Sequence, residues 1–151
     1  MLMDSIKRFP SLYEITIKVF SPTDEHPAMY RELAEVFSNT KTTTYLKLSF
    51  GTSFHFLNYP LLFKYIRFLD LSGNKFENCH ALEDALGKCT SLRWLEMFDC
   101  SFPKDYKLKF RNDSLLRLEF SNFPFDLSGC PNLSRVLFSF SEPNHYIDTL
   151  N

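Results

Sequence analysis

Ile66-Arg67-Phe68-Leu69-Asp70-Leu71-Ser72-Gly73-Asn74-Lys75-Phe76 sets apolar residues at its first, fourth, sixth and last positions, with an Asn two before the end. Its opening register, apolar-x-x-apolar-x-apolar, recurs in both directions along the chain. It reads Leu12-x-x-Ile15-x-Ile17, Thr43-x-x-Leu46-x-Leu48, Leu92-x-x-Leu95-x-Met97, Leu115-x-x-Leu118-x-Phe120 and Leu133-x-x-Val136-x-Phe138. Successive starts fall at 12, 43, 66, 92, 115 and 133. Alternating apolar residues over so short a run predict a strand with one buried side. A unit of about 20–30 residues cannot bury that side alone, so the copies are expected to stack into a solenoid.

The stretch from 66 to 76 resembles one copy of the leucine-rich repeat family. Asn74 stands at the family's ladder position, and Cys100 at the same place in the next copy is the accepted substitute. Gly87-Lys88-Cys89 and Gly129-Cys130 set a Cys just before a strand, which is similar to the cysteine-containing, ribonuclease-inhibitor-like branch. The resemblance spans roughly residues 10–140 and is clearest in the third and fourth copies. It implies an α/β leucine-rich-repeat solenoid: curved, with five to six parallel strands on the concave face and helices and irregular segments on the convex face. Residues 1–151 are then one domain. In that branch the Cys packs at the turn from helix to strand. The branch is common among intracellular adaptors, including F-box substrate receptors.

Between the strands, His26–Phe37 has a helical period, with Pro27 in the first turn and Met29, Leu33, Val36 and Phe37 on one face. Asn78–Lys88 is the second predicted helix, capped by Asn78, lined by Leu82, Ala85 and Leu86, and ended by Gly87. The connections 103–113 and 124–130 lack a helical period and are expected to be extended or 3₁₀. Pro60–Lys64 is read as a single short turn.

Composition narrows the function. Apolar residues make up 44% of the 151, enough for one continuous core, and 17 are Phe, several where the family has Leu. A net charge of −1 gives no electrostatic case for nucleic acid or an anionic membrane. No apolar run reaches membrane-spanning length, and the first residues lack a secretory pattern. The cysteines at 79, 89, 100 and 130 contain no C-x-x-C pair, so no metal site is expected. They read as buried, reduced thiols, which places the chain in the cytoplasm or nucleus. Asn112-Asp113-Ser114 and Asn132-Leu133-Ser134 match the glycosylation pattern and read as chance matches in that setting.

Catalysis has little support. His26, His55, His80 and His145 are scattered, with no nucleophile and base in a recognisable pattern, and the 4 glycines form no phosphate loop. Cys79 and His80 read as helix-start or surface residues. No catalytic residue, cofactor or metal is expected.

The variable strand residues point to a partner. The position before the second apolar gives Glu14, Tyr45, Phe68, Trp94, Arg117 and Arg135; the next column gives Thr16, Lys47, Asp70, Glu96, Glu119 and Leu137. Parallel neighbours stack about 4.8 Å apart, so Tyr45, Phe68 and Trp94 would form an exposed aromatic row continued by two guanidiniums. Phe98 lies in a third column that is mostly Ser (Ser49, Ser72, Ser121, Ser139). Trp, Tyr, Phe and Arg dominate interface energetics, and the carboxylates Asp70, Glu96 and Glu119 favour a basic or Arg-containing segment. The expectation is a non-catalytic protein-interaction module, an adaptor or scaffold, bound through Tyr45, Phe68, Asp70, Trp94, Glu96, Phe98, Arg117, Glu119 and Arg135. Three other readings remain: that the large residues merely pack on each other with Arg67, Arg93 and Arg117 balancing the acids; that the chain is the recognition part of an F-box-type ubiquitin-ligase adaptor; and that it is a structural subunit of a large assembly, a piece of something larger.

Overall fold

The structure, a computed structural model, describes residues 14–18, 28, 31–32, 35, 44–49 and 63–139; of β1 and β2 it describes the backbone, with the side chains of Tyr45 and Lys47. Six strands, β1 (Glu14–Lys18), β2 (Thr44–Ser49), β3 (Ile66–Asp70), β4 (Trp94–Met97), β6 (Arg117–Ser121) and β8 (Arg135–Ser139), form one sheet in chain order. Every pairing in it is parallel. The short strands β5 (Leu108–Lys109) and β7 (Phe125–Asp126) pair in parallel as a second sheet. Helix α1 (Cys79–Lys88) carries the chain from β3 to β4. The fold is thus α/β, built on parallel strands.

Each strand forms where the apolar triplet predicts it. Leu69 lies opposite Leu95, Leu95 opposite Leu118, and Leu118 opposite Val136. Alternation sends these side chains to one side of the sheet, where Leu69, Leu71, Leu95, Met97, Leu118 and Phe120 are all buried in a single cluster. Leu82, Ala85 and Leu86 of α1 and Leu108 and Phe110 around β5 join the same cluster, so the return segments cover the sheet. Segment 103–113 opens on a turn closed by the Tyr106 N–H to Pro103 O and then holds β5, and 124–130 holds β7 and a 3₁₀ turn, Leu127–Gly129. The residue two beyond the ladder position is Phe76, Phe102 and Phe125 in successive copies. Phe76 and Phe102 stack with centroids 5.1 Å apart, and Phe102 meets Phe123 at 4.5 Å. The abundant Phe fills the core at the end where the chain leaves each strand.

Helix α1 begins as predicted: the Asn78 side chain accepts a hydrogen bond from the Ala81 N–H at 3.1 Å. A helix leaves its last carbonyls without intrahelical donors. Here the Cys89 thiol donates to Ala85 O at 3.2 Å, and the Asn112 amide donates to Leu86 O at 2.8 Å and Cys89 O at 3.1 Å. Cys89, Asn112 and Cys130 each lie three residues before the first apolar of a triplet. They form an internal file, and all three are buried. Asn112 is therefore a structural amide and not an open glycosylation acceptor. The glycines beside this file are explained by close approach. A Cβ on Gly129 would stand 2.2 Å from Phe110 O, and one on Gly87 3.3 Å from Arg111 O.

At the other end of the strands, Asn74 donates to Leu71 O at 2.6 Å and the Cys100 thiol donates to the same carbonyl at 3.2 Å. The fifth copy has buried Phe123 at this position instead. One residue earlier, Gly73, Asp99 and Asn122 all take left-handed backbone, with φ of 74°, 53° and 61°. Gly, Asp and Asn are the residues that tolerate that region, so the same sharp turn is built three times.

Of the predicted helix 26–37, Ala28, Arg31, Glu32 and Glu35 have helical backbone, and the inward residues named for it lie outside the described set, as does most of the turn at 60–64. The sixth triplet departs from expectation. Val136 is 46% exposed and Phe138 38%, although they stand in register with buried Leu118 and Phe120. A triplet is buried between its two neighbouring coils, and among the described residues none follows β8.

Candidate functional site

The register places the predicted columns side by side. Glu14, Tyr45, Phe68, Trp94, Arg117 and Arg135 are consecutive cross-strand partners, and so are Thr16, Lys47, Asp70, Glu96, Glu119 and Leu137. In β3, β4 and β6 these residues belong to the side of the sheet opposite the leucine cluster, because each alternates with a core residue.

The aromatic row exists, but it is packed. The Tyr45 and Phe68 rings stack with centroids 4.0 Å apart and planes 11° from parallel. Trp94 meets Phe68 edge-on at 4.4 Å, and the Arg117 guanidinium lies over the Trp94 ring at 3.6 Å. Phe68, expected at the surface, is only 7% exposed, since a ring flanks it on either side. Tyr45, Trp94 and Arg117 are half-buried, and Arg135 is exposed beyond the stack. The Trp94 indole N–H is buried without an acceptor. Phe98 is half-buried, and its backbone N–H donates to the Ser72 hydroxyl at 3.0 Å.

The acidic column also differs from an open stripe. Asp70 and Glu119 are buried, because each is already paired. Lys47 Nζ lies 2.5 Å from Asp70 Oδ2, and Asp70 Oδ1 accepts the Ser72 N–H at 2.8 Å. Arg117 holds Glu119 through Nε and Nη2. The hydrogen bond to Asp70 raises the Lys47 pKa against the cost of its partial burial. Glu96 lies between the two pairs in register. Burial, and then the neighbouring Asp70 and Glu119 charges, push its carboxyl above the ordinary value. Three carboxylates thus face two cations, and the excess charge sits on Glu96. Of the arginines proposed as counter-charges, Arg117 serves this column. Arg93 instead donates to Ser114 O at 3.1 Å. Lys47, not singled out from the sequence as a site residue, supplies the second cation. Its signal was its place in the column beside Asp70.

Elsewhere the chemistry is structural. Glu83 accepts from the Tyr106 hydroxyl at 2.5 Å and the Lys109 N–H at 2.8 Å, and its Oε2 lies 3.3 Å from His80 Nδ1. Burial opposes the Glu83 charge, but those donors hold its pKa below the ordinary value. His80 is otherwise exposed, and Cys79 is buried and its thiol pushed up by burial. Burial also raises the Cys89 thiol, and takes Cys100 up to about 12. All four cysteines are free and buried. A cleft of about 560 Å³ holds Arg93 and Arg111, but Arg111 is engaged by Asp113. Among the described residues no group of His, Cys, Asp and Glu could hold a metal ion, and no helix is long and apolar enough to cross a membrane.

Comparison with protein-family models, curated proteins and solved structures gives no match.

Proposed function

We propose that this chain is a leucine-rich-repeat-like solenoid that works as a non-catalytic protein-interaction module. Its site is the sheet face built on Trp94, Glu96 and Phe98, and its partner is a protein segment carrying Arg or Lys. Parallel strands in unbroken chain order, the thiols and amide filed at one turn, and the left-handed residues repeated at the other support the solenoid reading. The observation that carries the function is Glu96: a half-buried carboxylate between Asp70 and Glu119, with both local cations already committed to those two. A cation arriving from a partner would relieve that repulsion, and Phe98 beside it offers apolar contact for the stem of an Arg or Lys. Arg117 shows how this face holds a guanidinium, over an indole and against a carboxylate. Four buried free thiols support an intracellular, reducing setting.

Trp94 is the single tryptophan, so its fluorescence reports on the face directly. Titration with an Arg-rich peptide should change that fluorescence, weaken as salt rises, and weaken about tenfold in Glu96→Gln. Trp94→Ala should cost about 2 kcal/mol of binding or more, followed with a labelled peptide. Because Trp94 packs on Phe68 and Arg117, the melting temperature of that variant has to be read alongside. Equal binding by an Arg-rich and a Glu-rich peptide, or no dependence on Glu96, would refute the reading.

A further inference from the structure

The cleft of about 560 Å³ lies between the end of α1 and the turn that leads into β6, where Thr90, Arg93, Arg111, Asp113 and Ser114 line it. Its frame is fixed across two coils. The buried Asn112 amide donates to Leu86 O and Cys89 O, and its Oδ1 accepts the Ser114 and Leu115 N–H at 2.9 and 3.0 Å. The Ser114 hydroxyl donates at 2.8 Å to Leu92 O, next to Arg93. Two guanidiniums are anchored to this frame. Arg93 gives one N–H to Ser114 O at 3.1 Å, and no acid among the described residues pairs with it. The rest of its five-donor fork is left for a ligand. Arg111 is held by Asp113 through contacts of 3.3 and 3.5 Å, with the two side chains 80% and 60% exposed. An ion pair so long and so exposed is weak, and it yields to a stronger anion. Two cations and one carboxylate leave the cleft one positive charge in excess, on a chain whose net charge is −1.

We infer that this cleft binds a phosphomonoester, with Arg93 and Arg111 sharing its oxygens and the exposed Thr90 at the rim. The existing pair decides the class of ligand. A carboxylate would only trade places with Asp113, the same group already tethered beside Arg111. A phosphate group at pH 7 carries about −1.5 to −2 charges and three acceptor oxygens, so it can engage both forks at once. The site does not depend on the Trp94–Glu96 face: it takes an anion, where that face takes a cation.

Capped phosphoserine and inorganic phosphate, each titrated at pH 7 and constant ionic strength, should shift the backbone amide NMR signals of residues 90–93 and 111–114. Dissociation constants in the range of about 1–10 mM are expected. Acetate should leave the signals in place. Arg93→Gln should weaken the phosphoserine response about tenfold, and Asp113→Asn should strengthen it about threefold by freeing Arg111. Lys75→Gln removes an exposed cation at the other end of the strands and should change nothing. Melting temperatures show whether each variant is folded. Tighter binding of capped phosphoserine assigns the ligand to a phosphorylated protein segment, and tighter binding of inorganic phosphate assigns it to the free ion. No saturable shift with either probe or an equal response to acetate overturns the inference. Equal losses in Lys75→Gln and Arg93→Gln overturn it too, because the effect would then be general surface charge. If Arg93→Gln unfolds, Asp113→Asn decides alone: unchanged or weaker binding there sinks the proposal.

Discussion

Strands β4 and β8 carry the same pattern and meet opposite fates. Leu95 and Met97 are fully buried, whereas Val136 and Phe138 stand about two-fifths exposed, although both pairs point to the same side of one sheet. In β4 each apolar residue is enclosed by a strand on either side and by α1 and β5 across the core. In β8, among the described residues, a strand lies on one side alone. The apolar triplet therefore specifies which way a side chain points, and the neighbouring coils determine whether pointing inward means burial. A stacked protein is stable in its middle and reactive at its ends for that reason.

The widest separation between the two strands should appear on truncation. Leu95→Ala is expected to cost about 2–5 kcal/mol, the range for a core Leu that leaves a cavity. Val136→Ala should cost about 0.5 kcal/mol or less, because a half-exposed side chain loses little on removal. Denaturant unfolding of both variants, read at constant m-value, makes the measurement. Similar costs at the two sites would mean that the β8 edge is covered in solution, and dilution would then distinguish a second copy from the chain's own residues.

A smaller effect tests what holds successive coils together. Gly129 lies against Phe110 O of the preceding coil with no room for a methyl group. Gly129→Ala should destabilise by about 1–3 kcal/mol through forced backbone movement. Gly73→Ala meets nothing within 4 Å but sits at φ 74°, so its cost is conformational and close to about 1 kcal/mol. If Gly73→Ala proves the costlier of the two, the spacing between coils is set by the strand-exit turns and not by the close approach at the return.

These contrasts also mark how far the sequence could be read. Strand positions, their parallel order and the cross-strand columns were legible because the triplet repeats and side chains alternate. Helix α1 was legible because Asn78 and the Leu82–Ala85–Leu86 face agree. Burial on the opposite face was not. Phe68, Asp70 and Glu119 look exposed by alternation, but their cover comes from Tyr45, Trp94, Lys47 and Arg117, neighbours in space whose reach no period encodes. Asn112 was read only as a chance sequon, and its structural role went unseen for a related reason. Its pattern with Ser114 matches a glycosylation signal locally, whereas its place in file with Cys89 and Cys130 appears only when copies are aligned. The turn residues Gly73, Asp99 and Asn122 carry a sequence signal of their own, since three αL-tolerant residues share one offset beside the ladder position.

The smallest expected effect is the one that joins stability to the proposed site. Burial and the flanking Asp70 and Glu119 raise the Glu96 pKa above its unfolded value of 4.5, so the folded state disfavours the ionised form. For an acid raised on folding, the ionised group costs stability at every pH above the folded pKa. That cost fades as pH falls through the interval between the folded and unfolded values, and it is absent below the unfolded one. Glu96→Gln removes the charge while keeping the shape. It should therefore stabilise the chain by about 0.5 kcal/mol at pH 7, the scale of a like-charge cross-strand contact, with the gain disappearing near pH 4. Thermal melts of both proteins across that range measure the difference. The same substitution is expected to weaken binding of an Arg-rich peptide. A gain in stability paired with a loss of binding would mark Glu96 as a residue that strains the fold to keep a charge available. A substitution that lowers stability at pH 7 instead would mean that Glu96 is satisfied within the chain, and that the excess charge on this face lies elsewhere.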